Sequence, residues 1–221
     1  MSPSVSDNLL SIRERIARAA ERSGRNPVAV RLIAVTKTVP AERIREATAA
    51  GALDIGENRF QEALGKHALL EDLSLTWHFI GRIQTNKAKK IAETFDWIHS
   101  VDRLEVVEKL GAAAGPKRLP ILLEINLGGE AAKGGAAERD VAALVSASRA
   151  APHLDLRGLM TVPPFFANPD DARPFFRRLK QLAGACSLQE LSMGMSHDFE
   201  VAIEEGATMV RIGTALFGAR S

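Results

Sequence analysis

Val30-Arg31-Leu32-Ile33-Ala34-Val35-Thr36-Lys37 is a short apolar run that stops on a lysine, and it is the first of a series. The run proper, 30–36, has counterparts at 53–56, 77–80, 97–100, 120–127, 156–162, 190–194 and 208–213. Apolar runs this short, bounded by polar segments, read as buried strands. Alanine- and charge-rich amphipathic stretches near 41–51, 58–70, 85–94, 103–113, 137–150, 170–184 and 198–205 separate them and read as helices. Eight strand-helix units in a chain of 221 residues predict an α/β fold, a single (β/α)8 TIM barrel. A charged segment at roughly 6–23 precedes the first strand and predicts an extra N-terminal helix. Almost no chain follows the eighth strand, so that helix is expected to cover the gap left by a missing final one. No Pro/Gly/Ser-rich linker interrupts the pattern, and 1–221 is expected to be one domain.

Composition narrows the function classes. Lys+Arg 29 against Asp+Glu 27 leaves a net charge of +2, too balanced for a nucleic-acid or membrane field. The one basic cluster, Lys87-Ala88-Lys89-Lys90, has no interleaved aromatics to stack bases and reads as a solvated helix face. The single Cys186 excludes an internal disulfide and reads as a packing residue in a reducing, cytoplasmic protein. His67, His99, His153 and His197 show no metal-ligand spacing, so no metal is expected. No 18 uncharged apolar residues run together, so no membrane span is expected either.

Barrel chemistry gathers at the C-terminal ends of the strands, which makes the residues there the ones to read. Lys37 follows the first strand; short of water, its amine can stay partly neutral and nucleophilic enough for a Schiff base. Gly213-Thr214 follows the eighth, where backbone N–H groups can hold a phosphate. Ser196, in Ser192-Met193-Gly194-Met195-Ser196-His197-Asp198-Phe199, either receives phosphate oxygens or caps the helix at 198–205, and both can hold. Arg211 either faces a ligand or pairs with a buried carboxylate such as Glu57. A lysine amine and a phosphate turn on adjacent strands together point to pyridoxal phosphate. His78 sits among apolar neighbours and reads as a core histidine with its hydrogen bonds satisfied. Met160, Met193, Met195 and Met209 at strand ends read as core, with one of them, taken as Met160, packed on the cofactor ring.

These stretches also carry a resemblance. Ala34-Val35-Thr36-Lys37, Ile55-Gly56-Glu57-Asn58-Arg59-Phe60-Gln61-Glu62 and Trp77-His78-Phe79-Ile80-Gly81-Arg82-Ile83-Gln84-Thr85-Asn86-Lys87 are followed by Gly158-Leu159-Met160-Thr161, Leu191 to Phe199 and Val210 to Gly218. In that order the chain resembles the YggS/PROSC family of pyridoxal-phosphate homeostasis proteins, which share the barrel of alanine racemase, fold type III among enzymes using this cofactor. The resemblance implies pyridoxal 5'-phosphate bound to Lys37 as a Schiff base. It sets Ser196, Gly213 and Thr214 on the phosphate, Arg211 opposite the pyridine nitrogen and Asn58 near the lysine. The loop after the fifth strand departs from the family's serine-bearing pattern, reading Gly128-Gly129-Glu130-Ala131-Ala132-Lys133-Gly134-Gly135, with Lys133 as a second candidate phosphate contact.

Two function classes follow, a non-catalytic carrier and an amino-acid racemase. Racemisation on the related barrel uses the lysine and a tyrosine from a partner's second domain, whereas this chain has no Tyr and no second domain is expected. An arginine at the pyridine nitrogen leaves that nitrogen unprotonated and the ring a weaker electron sink. The expectation is therefore a carrier that buffers pyridoxal phosphate and delivers it to apo-enzymes dependent on it, with no catalytic residue, as a monomer. A phosphate-sugar isomerase is disfavoured because a Schiff-base lysine does nothing for an enediol route.

Overall fold

The computed structural model describes residues 4–115, 118–130 and 134–218. Eight parallel strands close into a barrel in chain order: β1 (Arg31–Val35), β2 (Asp54–Glu57), β3 (Thr76–Phe79), β4 (Trp97–Val101), β5 (Leu119–Glu124), β6 (Leu154–Met160), β7 (Glu190–Met195) and β8 (Met209–Ile212). Closure is made by β8 against β1, with Leu32 opposite Val210 and Ile33 opposite Arg211. Around it run α1 (Val5–Arg22), α2 (Ala41–Ala49), α3 (Phe60–Leu69), α4 (Ala88–Thr94), α5 (Leu104–Ala113), α6 (Val141–Ala150), α7 (Arg173–Ala185), α8 (Phe199–Glu204) and α9 (Thr214–Phe217).

The extra helix does what its position in the chain predicts. Val5, Leu9, Ile12, Ile16, Ala19 and Ala20 recur at helical spacing and are buried, so α1 has one apolar face. Ser4 starts it with a reciprocal cap, its hydroxyl accepting from Asp7 N–H at 3.1 Å while Asp7 accepts from Ser4 N–H. The buried face packs on α2, α8 and α9, the position after β8 that a full-length final helix would fill. Asn8 donates to Leu216 O at 3.0 Å, and Arg15 pairs with Glu200 at 2.9 Å.

Two strands, β5 and β6, differ from expectation by more than one residue. The apolar pattern continues to Leu127, but β5 leaves the sheet after Glu124; Ile125 keeps one bond to Met160 O, and Asn126 N–H turns to Ala136 O. Its neighbour β6 begins earlier than expected, at Leu154, and ends at Met160. Strand length is set by the partner's length, which apolar periodicity does not report.

The main core lies between the outer strand faces and the helices. Inside the barrel Ile33, Leu122, Met160 and Met209 form a separate apolar cluster. Because β1 and β5 are not neighbours, these residues meet only through the lumen. The lumen also holds buried His78, His99, Ser192 and Arg211, a polar content unlike the branched apolar layers usual for this fold.

Candidate functional site

A cavity of about 660 Å³ opens at the C-terminal end of the barrel, between the ends of β1, β7 and β8. Lys37, Thr38, Arg43, Met195, Ser196, Arg211, Gly213 and Thr214 are among its walls. Five of the seven residues expected at the site, Lys37, Ser196, Arg211, Gly213 and Thr214, therefore share one space. The volume suits a single small ligand.

Lys37 stands two residues past β1, and the backbone on each side of it is pinned. Thr36 is fully buried and donates its hydroxyl to Glu57 Oε1 at 2.6 Å, while its carbonyl accepts from Lys66 Nζ at 2.6 Å. On the other side Thr38, in the left-handed region at φ 63°, donates its N–H to Glu62 Oε1. Lys66 joins the two carboxylates, 2.7 Å from Glu57 and 2.6 Å from Glu62, one helical turn apart on α3 in the second case. Burial raises the Glu57 carboxyl above its ordinary value, against the pull of Lys66 and Thr36. Burial also presses on Glu62, but the Lys66 ammonium and Thr38 N–H bring it below the usual range. The lysine loop is thus tethered to a buried ion cluster.

Ser196 has a different partner from the helix expected. Its hydroxyl accepts from Gly213 N–H and Ala215 N–H, each at 3.2 Å, so it sits on the first turn of α9. The start of α8 belongs to Asp198, whose carboxylate turns back to accept from Met195 N–H at 2.7 Å. The cap expected on the helix at 198–205 is therefore replaced by a contact across the barrel rim, because closure brings the ends of β7 and β8 side by side. Gly194 makes the turn possible at φ +87°, and a Cβ there would stand 2.5 Å from that of Ala202.

Arg211 is 4% exposed and donates Nη1 to Ser192 Oγ at 2.6 Å and Nη2 to Thr161 O at 3.0 Å. Burial lowers its guanidinium to about 10, against the pull of Glu124 and Asp198. Pairing with Glu57, the alternative left open by the sequence, is not what forms; Glu57 is taken by Lys66. Across the lumen, burial and the neighbouring Asp102 push the Glu124 carboxyl up to about 7. His78 is buried with both ring nitrogens engaged, as the core reading expected.

Two expected residues lie outside the cavity walls. Met160 is buried in the apolar lumen cluster and is not among the cavity walls. Asn58 packs under Gly81, where a Cβ would stand 2.0 Å from its carbonyl, and its Oδ1 is buried with no hydrogen-bond partner. Lys133 lies outside the described residues. Met195, expected in the core, is instead 38% exposed at the cavity. The sequence reading missed Arg43, whose Nη2 donates to Phe217 O at 3.3 Å and whose Nε is buried without a hydrogen bond, 3.4 Å from Glu46. It also missed Lys66, although its spacing of four from Glu62 is a visible signal.

Comparison with known proteins agrees with this fold. The alanine racemase N-terminal domain model matches residues 8–221. A Pyridoxal phosphate homeostasis protein of Pseudomonas aeruginosa is 51% identical over 220 residues, covering 98% of this chain and 96% of that one. One of the same name from Aquifex aeolicus is 46% identical, covering 97% of each. The solved structure of PipY from Synechococcus elongatus, with PLP bound, superposes with a TM-score of 0.86 at 38% identity, covering 97% of this chain and all of that one. Alanine racemase from Bacillus anthracis, at 19% identity and TM-score 0.66 over 56% of its length, shares the fold.

Proposed function

This chain belongs to the family of the pyridoxal phosphate homeostasis proteins, built on the alanine racemase N-terminal domain, and on that premise we propose that it binds pyridoxal 5'-phosphate and buffers or delivers it without substantial catalysis. The observation that carries the proposal is the shared cavity, with a primary amine on one wall and phosphate-type donors on another. When bound, the group supplies an aldehyde that an amine can capture and a ring that can draw electron density.

The residues present suit those demands. Lys37 Nζ would take the aldehyde carbon, on a loop that Thr36 and Thr38 hold to the Lys66 cluster. The Ser196 hydroxyl, which accepts from Gly213 and Ala215 N–H, would turn its own hydrogen to a phosphate oxygen, with those two N–H groups shared between Ser196 and the phosphate and Thr214 alongside. Arg43, with a buried Nε lacking a hydrogen bond on the same cavity, would add positive charge. Arg211 uses two of its five N–H groups on Ser192 and Thr161, leaving donors for a ring nitrogen that accepts. We assign Asn58 and Met160 indirect roles, since both lie outside the cavity walls.

Two features of the residues support a carrier over a racemase. Arg211, a permanently cationic donor, would hold the ring nitrogen without protonating it, so the bound ring would supply only weak electron-sink chemistry. A second base of the tyrosine kind is not in the sequence, which has no Tyr. We extend the reading to a single-domain, monomeric, cytoplasmic protein that serves apo-enzymes needing this cofactor. Among the described residues no helix is long and apolar enough to cross a membrane. The test is borohydride reduction of the purified protein followed by peptide mass mapping. Cofactor trapped on Lys37 is the expected result; trapping elsewhere, or none, overturns the site.

A further inference from the structure

Five polar groups form one hydrogen-bonded line through the barrel. Arg211 Nη1 lies 2.6 Å from Ser192 Oγ, Ser192 Oγ 2.9 Å from His99 Nδ1, His99 Nε2 3.0 Å from His78 Nδ1, and His78 Nε2 2.9 Å from Asp54 Oδ1. The link from His99 on β4 to Ser192 on β7 crosses the lumen. Its two ends are far apart in role: Arg211 faces the Lys37 cavity, whereas Asp54 starts β2 and lines a separate cavity of about 530 Å³ that also has Arg31 and Arg13 in its wall.

The direction of this line is forced by its ends. A guanidinium only donates and a carboxylate only accepts. With both rings neutral, Asp54 can only accept from His78 Nε2–H, and this propagates back along the line until the Ser192 hydroxyl hydrogen is directed at His99 Nδ1 while its oxygen accepts from Arg211. His99 then carries its own proton on Nε2 and gives it to His78 Nδ1, and His78 carries its proton on Nε2 for Asp54. With neutral rings only the Nε2–H tautomers give every link one donor and one acceptor; the reversed line needs a His78 imidazolium, which burial opposes. Burial lowers both histidines; His78 and Arg211 lower His99 further, while Asp54 works against the shift at His78. The other charged groups facing the rings are Arg31 and Asp96.

We infer that Asp54, His78, His99 and Ser192 are positioning residues for Arg211, a relay whose fixed polarity turns the Ser192 oxygen toward the guanidinium and so holds the remaining N–H groups aimed into the cavity. Apolar side chains would fill the lumen at lower desolvation cost, as Ile33, Leu122, Met160 and Met209 do elsewhere in it. No buried atom of its five side chains is left without a hydrogen-bond partner. Its consequence for cofactor binding rests on the reading of Arg211 given above.

The experiment uses the full chain, with nitrogen-15 histidine NMR on the cofactor-free protein and equilibrium dialysis against pyridoxal phosphate. Wild type is expected to show His78 and His99 as neutral Nε2–H rings. Asp54→Ala removes the last acceptor without touching the Lys37 cavity, and is expected to mix the tautomers and weaken binding about tenfold, the low end for losing an outer orienting partner at metal sites. Asp54→Asn keeps an accepting oxygen and is expected to restore both the tautomers and near wild-type binding. An Nδ1–H ring or an imidazolium in wild type overturns the relay, as does Asp54→Ala with unchanged tautomers and affinity. Should Asp54→Ala not fold, Ser192→Ala cuts the line at Arg211 itself, and unchanged affinity there overturns the proposal equally. If wild type takes up no pyridoxal phosphate, the cofactor reading falls by itself, and the ring tautomers together with the Arg211 guanidinium signals still decide the relay.

Discussion

Lys66 Nζ lies 2.6 Å from the carbonyl oxygen of Thr36, the residue immediately before Lys37. A buried ammonium on α3 thus holds the backbone of the loop that carries the proposed cofactor lysine, and it does so while joining Glu57 and Glu62. Lys66 has two tasks, neutralising a fully buried carboxylate and fixing the position of Lys37.

Removing it should be costly. Lys66→Met leaves Glu57 buried without its cation, and loss of one partner of a buried pair costs about 3 kcal/mol or more. The double variant Glu57→Gln, Lys66→Met removes both charges and should recover a large part of that loss. Urea unfolding of the three proteins measures it; equal midpoints for Lys66→Met and wild type would remove the cluster from its structural role.

Lys37→Ala should abolish covalent attachment and leave the fold intact, since Lys37 is only half-buried at the rim. Non-covalent cofactor should persist through Ser196, Gly213, Thr214 and Arg211. Borohydride trapping reads the first part, and the melting temperature of the cofactor-free protein the second.

Ser196→Ala frees the N–H groups of Gly213 and Ala215 from their common acceptor. Stability should fall by about 1 kcal/mol, the usual net worth of such hydrogen bonds. Retention of pyridoxal phosphate should fall with it, while trapping on Lys37 survives at saturating cofactor. Undiminished retention would take Ser196 out of the phosphate cradle.

Glu124 gives the stability a pH dependence of known sign. Its folded value of about 7 lies above the ordinary 4.5, so the folded state keeps a proton that the unfolded chain releases. The contribution is fully present below about 4.5 and is lost as pH rises toward about 7, by up to about 3 kcal/mol. Glu124→Gln should abolish this slope, so the variant gains on wild type between those values. Parallel stability curves would contradict it.

The carrier reading predicts no rapid exchange of the alanine α-hydrogen in deuterated water by the cofactor-loaded protein. Proton NMR follows the exchange directly. Fast exchange with inversion would restore the racemase alternative.

The barrel was legible because each buried strand had to be apolar and each helix amphipathic, whatever its neighbours. The extra helix was legible for the same reason, its apolar face having nowhere else to go. What periodicity could not reveal was where a strand stops: Ile125, Asn126 and Leu127 continue the apolar pattern of β5 but leave the sheet where β6 no longer accompanies them.

At the site, Lys37, Arg211, Gly213 and Thr214 were readable because the end of a barrel strand is a chemical address that local sequence reports. Their partners were not. Ser196 looks locally like the cap of the next helix, yet its hydroxyl meets Gly213 and Ala215. Arg211 could have met Glu57, but Glu57 found Lys66 on α3. His99 and Ser192 are 93 positions apart in the chain and 2.9 Å apart in the lumen. Sequence alone determined which residues are apolar and roughly where each strand and helix lies, since these follow from periodicity and local conformational preference. Only the closed barrel decided who bonds to whom, because hydrogen bonds and ion pairs act over a few ångströms and closure sets those distances.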